Sequence, residues 1–129
     1  MTDLSGQWDG HFDYPAGFGP STPFLASIDQ TGGRIGGSII EPDLYGGAAP
    51  AMAVIDGVVA GEAVDFTKTY RKASFGYENP VDYVGRVSEN GSRITGVWSL
   101  LDMNGSFEMT RQAVAEAAAE REAEVELKR

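Results

Sequence analysis

The sequence predicts an all-β fold: an eight-stranded antiparallel up-and-down β-barrel over residues 1–110, followed by an α-helical C-terminal tail over residues 111–129. Three observations carry this reading. Eight segments alternate apolar and polar residues with the period of two that a half-buried strand requires. Gly, Pro and an Asn-Gly pair punctuate the joins between segments. The joins are unequal in a regular way, with every second one short.

Taken in order, residues 6–14 form the first strand, with Trp8, Phe12 and Tyr14 on one face and Gln7, Asp9, His11 and Asp13 on the other. Residues 15–23 are a Gly- and Pro-rich loop, and residues 24–30 are the second strand. Thr31-Gly32-Gly33 is a tight hairpin turn into the third strand, residues 34–41, which sets Ile35, Gly37, Ile39 and Glu41 on one face. A second loop covers residues 42–51, and the fourth strand covers 52–59. Asp56-Gly57 could turn the chain, but the next strand would then run from 58 to 71, well beyond the usual length. The turn is therefore placed at Ala60-Gly61-Glu62, with Gly57 inside the strand.

The fifth strand alternates strictly, with Val64, Phe66, Lys68 and Tyr70 on one face. A looser segment, 72–80, leads to the sixth strand at 81–87. Asn90-Gly91 marks a hairpin into the seventh strand, 93–101, which aligns Ile94, Gly96, Trp98 and Leu100. Residues 102–105 read as a turn, and 106–110 as the eighth strand. From Arg111 the composition becomes Ala- and Glu-rich without Gly or Pro, which favours a helix with a thin apolar stripe of Val114, Ala117, Ala118 and Val125.

A chain of 129 residues is one domain with room for a core. It contains no cysteine, which excludes disulfides and thiolate metal sites. The net charge is −9, and since the tail holds four basic and five acidic residues, the acidity belongs to the barrel. An acidic domain repels phosphate backbones, so nucleic acid and anionic membranes are not expected partners. The start of the chain lacks a basic and then apolar leader, and the expected location is cytoplasmic.

Sequential antiparallel strands close a sheet and remove its edges. The even connections are short and the first three odd ones long, so one end is pinched and the other is a mouth. Trp8 begins its strand and plugs the pinched end. Tyr14, Glu41, Lys68, Tyr70, Tyr83 and Trp98 fall toward the mouth, which gives the interior a polar and aromatic set in one place.

Lys68 on an apolar face is costly unless it is compensated. Three readings are open: an internal ion pair with Glu41 or hydrogen bonds to Tyr70 or Tyr83, a counter-ion for an anionic ligand, or a side chain that snorkels to the surface. His11 is the only histidine and points outward beside Asp9 and Asp13, so no interior catalytic triad is available and a solvated face is expected there rather than a metal site. No cofactor is expected.

The opening Gly6-Gln7-Trp8 resembles the Gly-x-Trp start of calycin barrels, the group that includes lipocalins, fatty-acid-binding proteins and avidins. Residues 63–71 resemble the fifth-strand segment of avidins, and Tyr83-x-Gly85 and Ile94-x-x-x-Trp98 resemble their sixth and seventh strands. The loop at 42–51 stands where avidins carry a lid over the ligand. The likeness spans most of residues 4–110 and implies the barrel and a pocket. It does not extend to biotin. Avidins surround the ureido oxygen with small polar groups, whereas the matching positions here are Gly10, Tyr14 and Ile39. Phe66 replaces a tryptophan, Glu41 replaces a further polar residue, and Trp98 is retained.

The expected function is binding of a small, largely apolar molecule in the mouth, with an anionic head group admitted by Lys68. Tyr14, Ile39, Glu41, Phe66, Lys68, Tyr70, Tyr83 and Trp98 are the expected ligand-binding residues. Two alternatives stand beside it: a barrel enzyme of cyclase or isomerase type using Glu41, Tyr70 and Lys68, and a scaffold that assembles with copies of itself.

Overall fold

The structure is a computed structural model that describes residues 3–15, 19, 21–41, 50–71 and 79–112. Eight strands follow in order: β1 (Gly6–Asp13), β2 (Thr22–Thr31), β3 (Arg34–Glu41), β4 (Ala51–Ala60), β5 (Ala63–Tyr70), β6 (Val81–Val87), β7 (Arg93–Leu100) and β8 (Met103–Arg111). Each pairs antiparallel with its sequence neighbours, and β8 pairs with β1, so the sheet closes into a barrel. Closure satisfies every edge, and alternation sends one set of side chains into a continuous core.

Gly57 lies inside β4, as expected, because a Cβ there would collide with the Asp65 carbonyl and the Phe66 backbone on β5. The hairpin turns at Gly61-Glu62, where Gly61 has φ +60°. β2 starts earlier than the alternation suggested, at Thr22. Pro23 pairs with His11 of β1 but lies beyond the β2–β3 ladder, where a missing N–H is tolerated.

The last hairpin differs from the sequence expectation. β7 ends at Leu100, Leu101 and Asp102 make the turn, and β8 begins at Met103 rather than 106. Leu101 takes φ 56° itself. Asn104-Gly105 resembles a turn signal, yet Gly105 serves packing: the Trp98 indole and the Asp13 carbonyl occupy the space of a Cβ. At the other end of β8, Arg111 belongs to the strand and pairs with Trp8, so the helix does not begin there. Gln112 continues the pairing through its N–H to the Gln7 carbonyl at 2.9 Å. The remainder of the expected helix lies outside the described residues.

Trp8 is fully buried at the pinched end. Its Nε1–H donates to the Leu4 carbonyl at 2.9 Å, and the Arg111 guanidinium lies 4.6 Å above its ring. The same guanidinium donates to the carbonyls of Ser5 at 2.8 Å and Asp3 at 2.6 Å, which fastens the chain start across the barrel floor. Replacing Trp8 by Ala is expected to cost about 3–5 kcal/mol in denaturant unfolding, the penalty for a large buried aromatic. A loss below about 1 kcal/mol would mean that the indole closes nothing.

Candidate functional site

The three long odd connections follow β1, β3 and β5, so they lie at the end expected from the sequence to be the mouth. Alternation and register decide what reaches it. Glu41 is the last residue of β3, and Lys68 is two residues from the end of β5. Ile55 of β4 lies opposite Lys68, and Ala51 of β4 lies opposite Glu41. Both charged side chains are turned inward; Lys68 is 1% exposed and Glu41 3%.

The pair is direct. Lys68 Nζ lies 3.0 Å from Glu41 Oε2. The Tyr70 hydroxyl donates to the other carboxylate oxygen, Oε1. Three aromatic rings close around the ammonium, with centroids at 4.6 Å for Phe12, 4.8 Å for Tyr70 and 5.2 Å for Tyr83. Of the three readings of Lys68, the geometry is that of the internal ion pair. The lysine neither snorkels out nor stands free as a counter-ion.

Electrostatics follow from burial. Burial pushes the Lys68 ammonium below the ordinary lysine range, and the Glu41 carboxylate opposes that shift. Burial, then Glu41, hold the Tyr70 phenol far above its ordinary range, with Tyr83 and Tyr14 contributing. Tyr83 is raised in the same way, by burial first, then Glu41 and Tyr14. Both phenols therefore stay protonated through the neutral range and act as hydrogen-bond donors, not bases.

The remaining expected residues divide. Tyr14 and Tyr70 are half-buried and pack on the core, as do Leu100 and Met103 at the same end. Trp98 is buried, donates from Nε1 to the Asp13 carbonyl at 3.0 Å and meets Tyr14 edge-on at 5.5 Å. Phe66 stacks on Tyr83 at 4.8 Å and, like Ile39, is fully enclosed core. The structure thus gathers Glu41, Lys68, Tyr70 and Tyr83, sets Tyr14 and Trp98 beside them, and leaves Ile39 and Phe66 as packing.

Two residues escape a reading of the sequence. Phe12 faces the ammonium, and its inward direction is legible, but its level in the barrel depends on register. Phe24 lays its ring over Gly10, where a Cβ would stand inside the ring, so an aromatic fills the place of a small polar group. On the outer face, His11 Nε2 lies 3.5 Å from Asp13 Oδ2, while Asp9 accepts from Gln112 Nε2 at 3.1 Å. Among the described residues no three His, Asp or Glu side chains gather as a metal site.

Breaking the ion pair by Glu41→Gln or Lys68→Met is expected to cost about 3–5 kcal/mol each, because one charge is stranded. The double variant Glu41→Leu/Lys68→Met should recover most of that loss, which denaturant unfolding of all members of the cycle would check. The pH dependence has a definite sign. Lys68 is depressed in the fold, so the unfolded chain holds the extra proton, and stability rises with pH up to the ordinary lysine value of 10.5. Glu41→Gln removes the group that opposes the depression, so its deficit should be greatest at neutral pH and shrink toward pH 10. Beyond that, the raised phenols of Tyr70 and Tyr83 reverse the trend, because only the unfolded chain ionises them. A deficit that stays flat with pH would contradict the ion pair.

Comparison with solved structures places this architecture among small β-barrels. A redesigned β-barrel, b11L5F_LGL, superposes with a TM-score of 0.67 at 12% identity, covering 85% of this chain and 92% of that one. A second redesigned barrel, mFAP1 bound to DFHBI, gives 0.66 at 12% identity over 84% of this chain and 94% of its own. Apo shwanavidin gives 0.60 at 14% identity over 88% of this chain and its entire length. The avidin-like barrel suggested by the sequence is therefore the fold observed. No protein-family model matches the chain, and no curated protein matches it in sequence.

Proposed function

We propose that this protein binds a small, largely apolar molecule at the open end of its barrel. The observation that carries the reading is the position of the Glu41–Lys68–Tyr70 network. A fully packed apolar interior would be at least as stable as a buried ion pair. The polar groups sit at the mouth end, beneath half-buried Tyr14, Tyr70, Leu100 and Met103, and the opposite end is sealed by Trp8. Apolar walls with a few convergent polar groups are the usual composition of a small-molecule site. The DFHBI complex of a similar barrel supports the same use of the fold.

Because Lys68 is already balanced by Glu41, an anionic head group has no unpaired cation to meet. Uncharged ligands with a hydrogen-bonding group fit the mouth better than acids. Glu41 accepts through both oxygens, from Lys68 and Tyr70, which weighs against its use as a free general base in a cyclase or isomerase.

Self-association is supported by a separate observation. Leu25, Ile40 and Met52 are cross-strand neighbours on the outer face of β2, β3 and β4, and all three are exposed, with Val54 beside them. A second copy of the chain is the partner such a patch suits.

A panel of apolar alcohols, amides and acids, followed by quenching of Trp98, tests the site, and a native mass spectrum reads copurified ligand and subunit number together. Saturable quenching by the neutral compounds, with acids no tighter, is expected. Tyr14→Ala should weaken it several-fold, as the loss of about 0.5–1.5 kcal/mol of aromatic contact implies. A native protein without copurified ligand that is quenched by none of the panel would overturn the reading.

A further inference from the structure

We propose that the Lys68 amine condenses with the carbonyl of an apolar aldehyde or unhindered ketone, holding it as an imine inside the barrel. This rests on the ligand-binding reading and names the ligand class. The basis is a nucleophile that binding alone leaves unused: an amine enclosed near the mouth, with a carboxylate at 3.0 Å and rings at 4.6, 4.8 and 5.2 Å. A desolvated lysine in an apolar pocket is the usual amine for such chemistry, since part of it is held as the reactive free base.

The surroundings suit the product as well as the reactant. A protonated imine carries its positive charge on the same nitrogen as the ammonium. Glu41 would remain its counter-ion, and Phe12, Tyr70 and Tyr83 would remain its cation–π partners. The step balances without a co-reactant. The ammonium passes one proton to Glu41, and the free amine attacks the carbonyl carbon, forming a C–N bond and breaking the C=O π bond. The oxygen takes one proton from the attacking nitrogen and the other back from Glu41, and leaves as water while the C=N bond forms and the carboxylate is restored. Ammonium plus aldehyde thus gives iminium plus water with no change in charge. Tyr70, whose hydroxyl already points at Glu41, is the group placed to donate to the departing oxygen. The titratable groups facing the amine are Glu41 from β3 and Tyr70 and Tyr83 from its own and the next strand, with Tyr14 following β1. The chain has no thiol to divert a carbonyl ligand.

The test treats the native full chain with cinnamaldehyde, reduces with cyanoborohydride and locates the adduct by peptide mapping. Cinnamyl alcohol serves as the unreactive probe of the same shape. One adduct per chain is expected on Lys68. It should exceed labelling at Lys72 and Lys128 several-fold, because an amine held below the ordinary lysine range keeps more of its free base. Before reduction, absorbance should show the red-shifted band of a protonated conjugated imine. Glu41→Gln should move that band to shorter wavelength at the same pH. Lys68→Arg should remove the adduct; if that variant does not fold, the peptide map of the native chain decides by itself. Labelling confined to the other amines while cinnamyl alcohol still quenches Trp98 would overturn the imine and leave the binding reading standing. Absence of both labelling at Lys68 and binding of the alcohol would overturn the two together.

Discussion

One carboxylate organises the interior of this barrel. Glu41 accepts from Lys68 through one oxygen and from Tyr70 through the other, and it contributes to holding the phenols of Tyr70 and Tyr83 protonated. Without it, the Lys68 charge would lie among Phe12, Tyr70 and Tyr83 with only ring faces to replace water. Cation–π contact is worth about 2 kcal/mol or somewhat more when desolvated, short of the several kcal/mol that burying a charge costs. The polar end of the core therefore exists because one carboxylate reaches it.

The two ends of the barrel solve the same geometric problem differently. Closure of eight strands leaves an interior wide enough to need filling. At the pinched end the filling is a single indole, capped by Arg111 and tied to Leu4. Aromatic rings cover inward glycines, Phe24 over Gly10 midway along β1 and Trp98 over Gly105 near the ends of β7 and β8, so bulky and absent side chains interlock. At the other end the filling is polar, with Tyr14, Tyr70, Leu100 and Met103 half-buried against it.

Most of the fold is legible in the sequence because its signal is local. Alternation in residues 64–70 settles which face Lys68 takes, and connection lengths distinguish the two ends of the barrel. The strand ends are harder where one residue type serves two purposes. Gly105 reads as part of a turn and acts as a seat for Trp98; Arg111 begins a helix-favouring composition and ends as the cover of Trp8. The Glu41–Lys68 contact can be anticipated from alternation, since both residues face inward near strand ends. The Phe12 contact cannot, because it depends on the stagger with which β1 meets its neighbours around the barrel, a property of the whole closed sheet. Phe24 over Gly10 is hidden for the same reason: a glycine announces space without saying what fills it.

Enclosure of the Lys68 ammonium beside Glu41 is the feature on which the polar end of the barrel depends, and an NMR titration of the Lys68 side chain in the unmodified protein reads it directly. The enclosed pair predicts a Lys68 midpoint below the ordinary lysine value of 10.5, with a further fall in Glu41→Gln. A Lys68 that titrates at the ordinary value and ignores the loss of Glu41 would place the side chain in water and contradict the buried pair.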